Sequence, residues 1–490
     1  MERTNKSLEE IGQSFTEKAS SEEFAEEKEK FRNISKEFAH IFDAKNTETL
    51  SLIFSETIKE WRDLESRDGS SSLDEDLNWY DENNHRINLY QIAGMRSDEW
   101  DNDGMAKEKG DHLLAFKKID ACLKQFAKAT DPSLASEKLG QVIKMGQIPE
   151  HNLETAVDTL ARLGVAGGGI LERLIGDEEI PPSLRLRAIL STIRFGQSFP
   201  TLKDESESIL LKSIDSSDPR ILTGAIELCG LLGGVSGRDA LNKIGEKIKT
   251  IPLGQQRWLE LDSISTELAI DPDRAESIGL RLGGRMWEAP SGIFFGSLQA
   301  FEGFDDFIFR NKLKLVSLAE ALKRTNDSFG SEPVLYVDIV PDDVKNTANE
   351  GWTQNSIHLS KSMIEHPQVS TKITVQGAIH EACERWESKG FVDAQMESDY
   401  MSLLGEEYGS SPLDKFRLSH RYDVPTHAGH PWDGTREYVA EAGSILLAEP
   451  DEEKKIFDPA RDRSSLSALE YVHGLIQMNG RRKGMGQEKG

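Results

Sequence analysis

The sequence predicts a mainly α chain: an α-solenoid built from repeats, followed by an α+β domain. Two observations carry this. Four helical segments of similar pattern begin 32, 37 and 36 residues apart between Ala156 and Ala269. Beyond residues 285 to 300 the texture changes, and two short strand-like runs precede a helix that carries the pair His380–Glu381. The expected division is a polar helical arm and linker over 1–77, a repeat domain over 78–284, and a site-bearing domain over 285–490.

Composition narrows the function. A net charge of −26 disfavours sequence-independent binding to nucleic acid, which needs clustered Lys and Arg to displace counterions, and it disfavours anionic lipid as well. Three distant cysteines, Cys122, Cys229 and Cys383, suit a reducing compartment better than a disulfide framework. No Sec-type apolar region opens the chain and no apolar run reaches membrane-spanning length. Cytoplasmic residence is the expectation, with delivery into another cell by a Sec-independent route left open. The partners expected are proteins, as substrate or as binding partner.

The first 65 or so residues mix Glu and Lys with spaced apolar positions such as Phe38, Ile41 and Phe42. That pattern reads as amphipathic helices on a mobile arm. "SRDGSSSLDEDL" (66–77) then reads as a linker.

The repeat segments are "AVDTLARLG", "AILSTIRFG", "AIELCGLLG" and "LDSISTELA", starting at Ala156, Ala188, Ala225 and Leu261. Each is followed by a second helical stretch, and a proline opens the helix in "PPSLRLR" and "SDPRILTG". The small residue that opens the first three permits close helix contact, and the glycine that closes them suits a C-cap. The arrangement resembles HEAT repeats, in which helix pairs stack because no single pair can bury its apolar face. Such an array implies a protein-binding scaffold, or a spacer that positions the next domain.

In "AIHEACERWESKG", His380 and Glu384 stand at i and i+4, on one helix face and able to converge on one cation. Glu381, about 100° around the helix, would point at a metal-bound water and serve as general base. Cys383, at i+3 from His380, reads as a buried structural thiol more readily than as a replacement ligand. Some fifty residues on, "GTREYVAEAGSILLAEP" places Glu437 and Glu441 at i and i+4 on an otherwise apolar helix. Carboxylates there are costly to bury unless paired or metal-bound. Glu437 would be a third ligand, and Glu441 would hydrogen-bond the ligand histidine.

The order of strand "NSIHLS", helix "AIHEACERWESKG" and helix "TREYVAEAGSILLAEP" resembles the lethal-factor-like zinc metallopeptidases, a zincin family. There H-E-x-x-H is followed by E-[FY]-x-A-E-A on a later helix. The likeness covers roughly residues 330–475. It implies a zincin-like fold, cleavage of a protein substrate, His380, Glu384 and Glu437 as metal ligands, and Glu381 as catalytic base. It also implies that the strand before the active helix pairs with the substrate as an added strand. The family places a tyrosine seven residues before the ligand Glu, for the oxyanion; here His430 holds that position and would donate in its stead. His427, nearby, reads as an ordinary loop histidine.

The departure is Glu384, where the family has its second histidine. A His, His, Glu set leaves Zn²⁺ with a net charge of about +1, which acidifies the bound water. A His, Glu, Glu set leaves about zero, so the water ionises less readily. Zinc is the expected metal, and the added hard oxygen draws preference toward Mn²⁺ or Fe²⁺. The alternative is a catalytically inactive pseudoprotease acting as a protein-binding scaffold.

Overall fold

The computed structural model describes residues 22–68, 79–80, 86–87, 105–128, 130–299, 301–329, 333–341, 350–352, 356–365, 371–395, 397–398, 440, 443–444 and 447. These residues are mainly helical, with a small sheet toward the C-terminal side. No helix among them is long and apolar enough to cross a membrane.

Helices α1 (Glu22–Asp43) and α2 (Thr47–Asp68) pack on α3 (Met105–Phe126). A two-residue ladder pairs β1 (Trp79–Tyr80) with β2 (Arg86–Ile87) between them in the chain. The expectation of a mobile arm is corrected for the described part. Ile34, Phe38 and Ile41 on α1, and Leu50, Phe54 and Trp61 on α2, are buried in the same core as Ile119, Leu123 and Phe126 of α3. Their i, i+4, i+7 and i, i+4, i+11 spacing makes one narrow apolar stripe per helix, enough for docking on a neighbour though too little for a core of its own.

The middle of the chain is a series of helices: α4 (Pro132–Met145), α5 (Glu150–Arg162), α6 (Val165–Gly176), α7 (Pro182–Arg194), α8 (Leu202–Ile214), α9 (Pro219–Leu232), α10 (Gly234–Ile248) and α11 (Leu253–Ile270). They lie in two rows. One runs α3, α5, α7, α9, α11 and the other α4, α6, α8, α10, each helix packing on the next of its row. Caps set the boundaries. Asp131 and Asp218 accept backbone N–H bonds at the starts of α4 and α9, each with proline at the first helical position. Gly164, Gly196 and Gly233, which close the first three repeat segments, have φ of 63°, 68° and 60°, the left-handed region. Ala156, Ala188 and Ala225, which open them, are fully packed.

After a short α12 (Ala275–Arg281) come β3 (Met286–Glu288), β4 (Phe294–Gly296), α13 (Phe304–Phe329), β5 (Tyr336–Val340), β6 (Glu350–Trp352), β7 (Ser356–Ser360), α14 (Lys361–Glu365) and α15 (Thr371–Ser388). The sheet order is β3-β4-β5-β7-β6, with β4, β5 and β7 parallel and the two outer strands antiparallel. Both faces are covered. Phe295, Val337, Ile339, Ile357 and Leu359 join the core with α13 and α15, while Phe294 and Tyr336 pack against Leu261, Ile264 and Leu268 of α11. The last helix of the array is therefore the wall of the sheet.

Candidate functional site

Helix α15 forms where the sequence predicts it, because Val375, Ala378, Ile379, Ala382 and Cys383 repeat at i, i+3, i+4, i+7, i+8 and are all buried. It lies against α13, β6 and β7. His380 and Glu381 are both half-buried. Gln376, one turn before His380 and so on the same face, is buried, and its Oε1 has no hydrogen-bond partner among the described residues. In the sequence, only the i−4 spacing from His380 marks Gln376.

Cys383 is buried and faces the later helix: a Cβ built at Gly443 would stand 2.6 Å from its Sγ. Ala440, Gly443, Ser444 and Leu447 are buried at i, i+3, i+4 and i+7, and Arg324 of α13 donates to the Leu447 carbonyl at 3.3 Å. Gly443, which closes "EYVAEAG", thus lies against Cys383 of the helix containing "HEACE". Glu384 is in α15, but its side chain lies outside the described residues, as do the whole of His427, His430, Glu437 and Glu441. Among the described residues no group of three or more His, Cys, Asp and Glu side chains is placed to hold a metal ion.

One expectation is overturned. Strand β7, "NSIHLS", cannot pair with an added peptide, because both of its edges are taken: β5 on one side from Ser356 to Ser360, β6 on the other from Ile357 to Leu359. Among the described strands the outer edge on this side belongs to β6. Its three residues were too few to show a strand period in the sequence.

The opposite sheet face holds a polar cluster that the sequence did not announce. Asp338 and His358 are register partners on β5 and β7. Asp338 meets Arg257 of α11 at 2.9 Å, the backbone N–H of Leu298 at 2.8 Å and the Tyr336 hydroxyl at 3.4 Å. Trp258 lies over the His358 ring with centroids 5.0 Å apart. Burial pushes the Asp338 carboxyl above its usual range, even with Arg257 and these hydrogen bonds opposing. Burial, aided by the Arg257 charge, pulls His358 down to about 3, so its imidazole is neutral at physiological pH. Nδ1 of that ring has no hydrogen-bond partner among the described residues.

No family model, no curated protein and no solved structure matches this chain.

Proposed function

We propose that residues 285–490 form a zincin-like, metallopeptidase-related domain acting on a protein substrate, carried by a HEAT-like α-solenoid. The observation that supports it best is the packing of Gly443 on Cys383. Cys383 lies three residues from His380, so it shares that side of α15. Glu437 precedes Ala440 by three residues in the sequence, so the contact of Gly443 with Cys383 favours a shared site for His380 and Glu437.

His380, Glu384 and Glu437 would hold a divalent cation, zinc in first place and manganese or iron(II) as the oxygen-rich alternatives. The cation would supply Lewis acidity and a water of lowered pKa. Glu381 takes the proton of the attacking water and returns it to the leaving amine. His430 donates to the oxyanion, and Glu441 orients His380. The pseudoprotease reading is favoured by one feature, the carboxylate at Glu384 where a second imidazole would leave the metal more acidic.

Metal content of the purified protein tests the site. One zinc, manganese or iron per chain, lost in both His380→Ala and Glu437→Ala, is the expected result. Wild-type protein that holds no metal after zinc and manganese supplementation overturns the enzyme reading. Metal held stoichiometrically, with no cleavage of a peptide library, favours the pseudoprotease.

A further inference from the structure

Immediately after α15 the chain turns back across the array. Gly390, with φ of 73°, ends the helix, following the Lys389 N–H bond to the Arg385 carbonyl. The next residues meet the row α3, α5, α7, α9, here the inner row, from α9 at one end to α3 at the other, with α5 and the end of α7 met together between them. Lys389, buried, reaches Glu227 of α9 at 3.4 Å, and Glu227 also takes Arg194 of α7 at 2.6 Å. The Gly390 carbonyl accepts a bond from Arg162 of α5. The Phe391 ring meets the Phe195 ring, just past α7, at 5.8 Å between centroids, and the Arg162 guanidinium lies 4.6 Å over the Phe195 ring. Gln395 receives Lys128, just past α3, at 2.5 Å, and Glu397 receives Lys124 of α3 at 2.8 Å.

The track is built for this occupant. The charges at its ends are complementary, acid on the array for Lys389 and base for Glu397. Gly390 passes so close to Asp158 of α5 that a Cβ would collide with the carboxylate. That carboxylate is itself fixed by Arg187 at 2.5 Å and by the Ser191 hydroxyl.

We infer that the inner row of the helical array is an internal docking track for the segment Lys389–Glu397, and that through this segment it positions helix α15 with His380 and Glu381. The array is a holder of the chain's own candidate site on this face. An outside protein engaging the array would have to use the outer row, α4, α6, α8 and α10.

Hydrogen–deuterium exchange of the full chain, in EDTA so that the result is independent of any metal, tests this. Two variants act on the segment alone: Gly390→Ala and Glu397→Lys. In each, exchange of amides in 371–398 should accelerate by about tenfold or more, while 150–270 keeps its protection. The double variant Lys124→Glu/Glu397→Lys should bring exchange of 371–398 back to within about threefold of wild type. Unchanged exchange of 371–388 in Glu397→Lys overturns the inference, as does acceleration spread equally through 150–270 with no recovery in the double variant. If Gly390→Ala does not fold, Glu397→Lys and its rescue decide alone. Loss of the metal site would leave all of these outcomes as they are, so the two readings fail separately.

Discussion

Trp258 covers the ring of His358 on one side and the guanidinium of Arg257 opposes its protonation, so this histidine must be buried neutral. The consequence for stability has a definite sign. The unfolded chain takes up a proton near pH 6.5, whereas the folded chain resists until about pH 3. Stability is therefore complete above pH 6.5 and is lost as pH falls from 6.5 through about 3, at about 1.4 kcal/mol per unit within that window. His358→Gln removes the titration. Urea midpoints at pH 7 and 4.5 should lie closer together in the variant than in wild type, and an identical gap would refute the assignment. The sequence placed His358 on a strand and stopped there. Which face of the strand it occupies, and what covers that face, depends on α11, about 100 residues upstream, and no local pattern records it.

Single helices show how far local pattern reaches. The repeat segments and their prolines and closing glycines were legible because capping and spacing are local chemistry. The run Gly167-Gly168-Gly169 in α6 is not legible in that way, since one letter stands for opposite situations at its two ends. Gly167 rests on the Leu160 carbonyl of α5, so closely that a Cβ would overlap the oxygen. Gly169 is exposed, with nothing within 4 Å of a built Cβ. Alanine should therefore act with opposite signs two residues apart. Gly169→Ala should stabilise by about 0.5–1 kcal/mol through helix propensity and reduced unfolded-state freedom. Gly167→Ala should destabilise by about 1–3 kcal/mol because α5 and α6 must separate. Thermal melts of the two variants check both signs. On α15 the helix itself was legible for the same local reason, and the face it buries was not. The contact of Cys383 with Gly443 depends on two helices meeting across sixty residues, and only the shared acid spacing hinted at it.

For the whole molecule, the boundary in texture near residue 285 is not a boundary in packing. The core that begins with Ile34 on α1 continues through the array to Ile357 on β7 and Ile379 on α15. Composition marks where helices give way to strands, but it does not register that α11 serves both sides. Arg257 is the critical side chain of that junction. It comes from the array, its partner Asp338 is on the sheet, and the carboxylate is almost fully buried. Burial already raises the Asp338 pKa with Arg257 present, so removal of the guanidinium leaves the carboxylate, among the described residues, with the Leu298 N–H and the Tyr336 hydroxyl. Arg257→Met should cost about 3–5 kcal/mol, the range for one partner lost from a buried pair. Most of that should return in Arg257→Met/Asp338→Asn, because the amide carries no charge to strand. The loss should also reach beyond the sheet. Circular dichroism, dominated by the array helices, and tryptophan fluorescence, to which Trp258 on α11 and Trp287 on β3 contribute, should shift together in denaturant. A fluorescence transition that moves to lower urea while the helical signal stays put would show instead that array and sheet unfold as separate units.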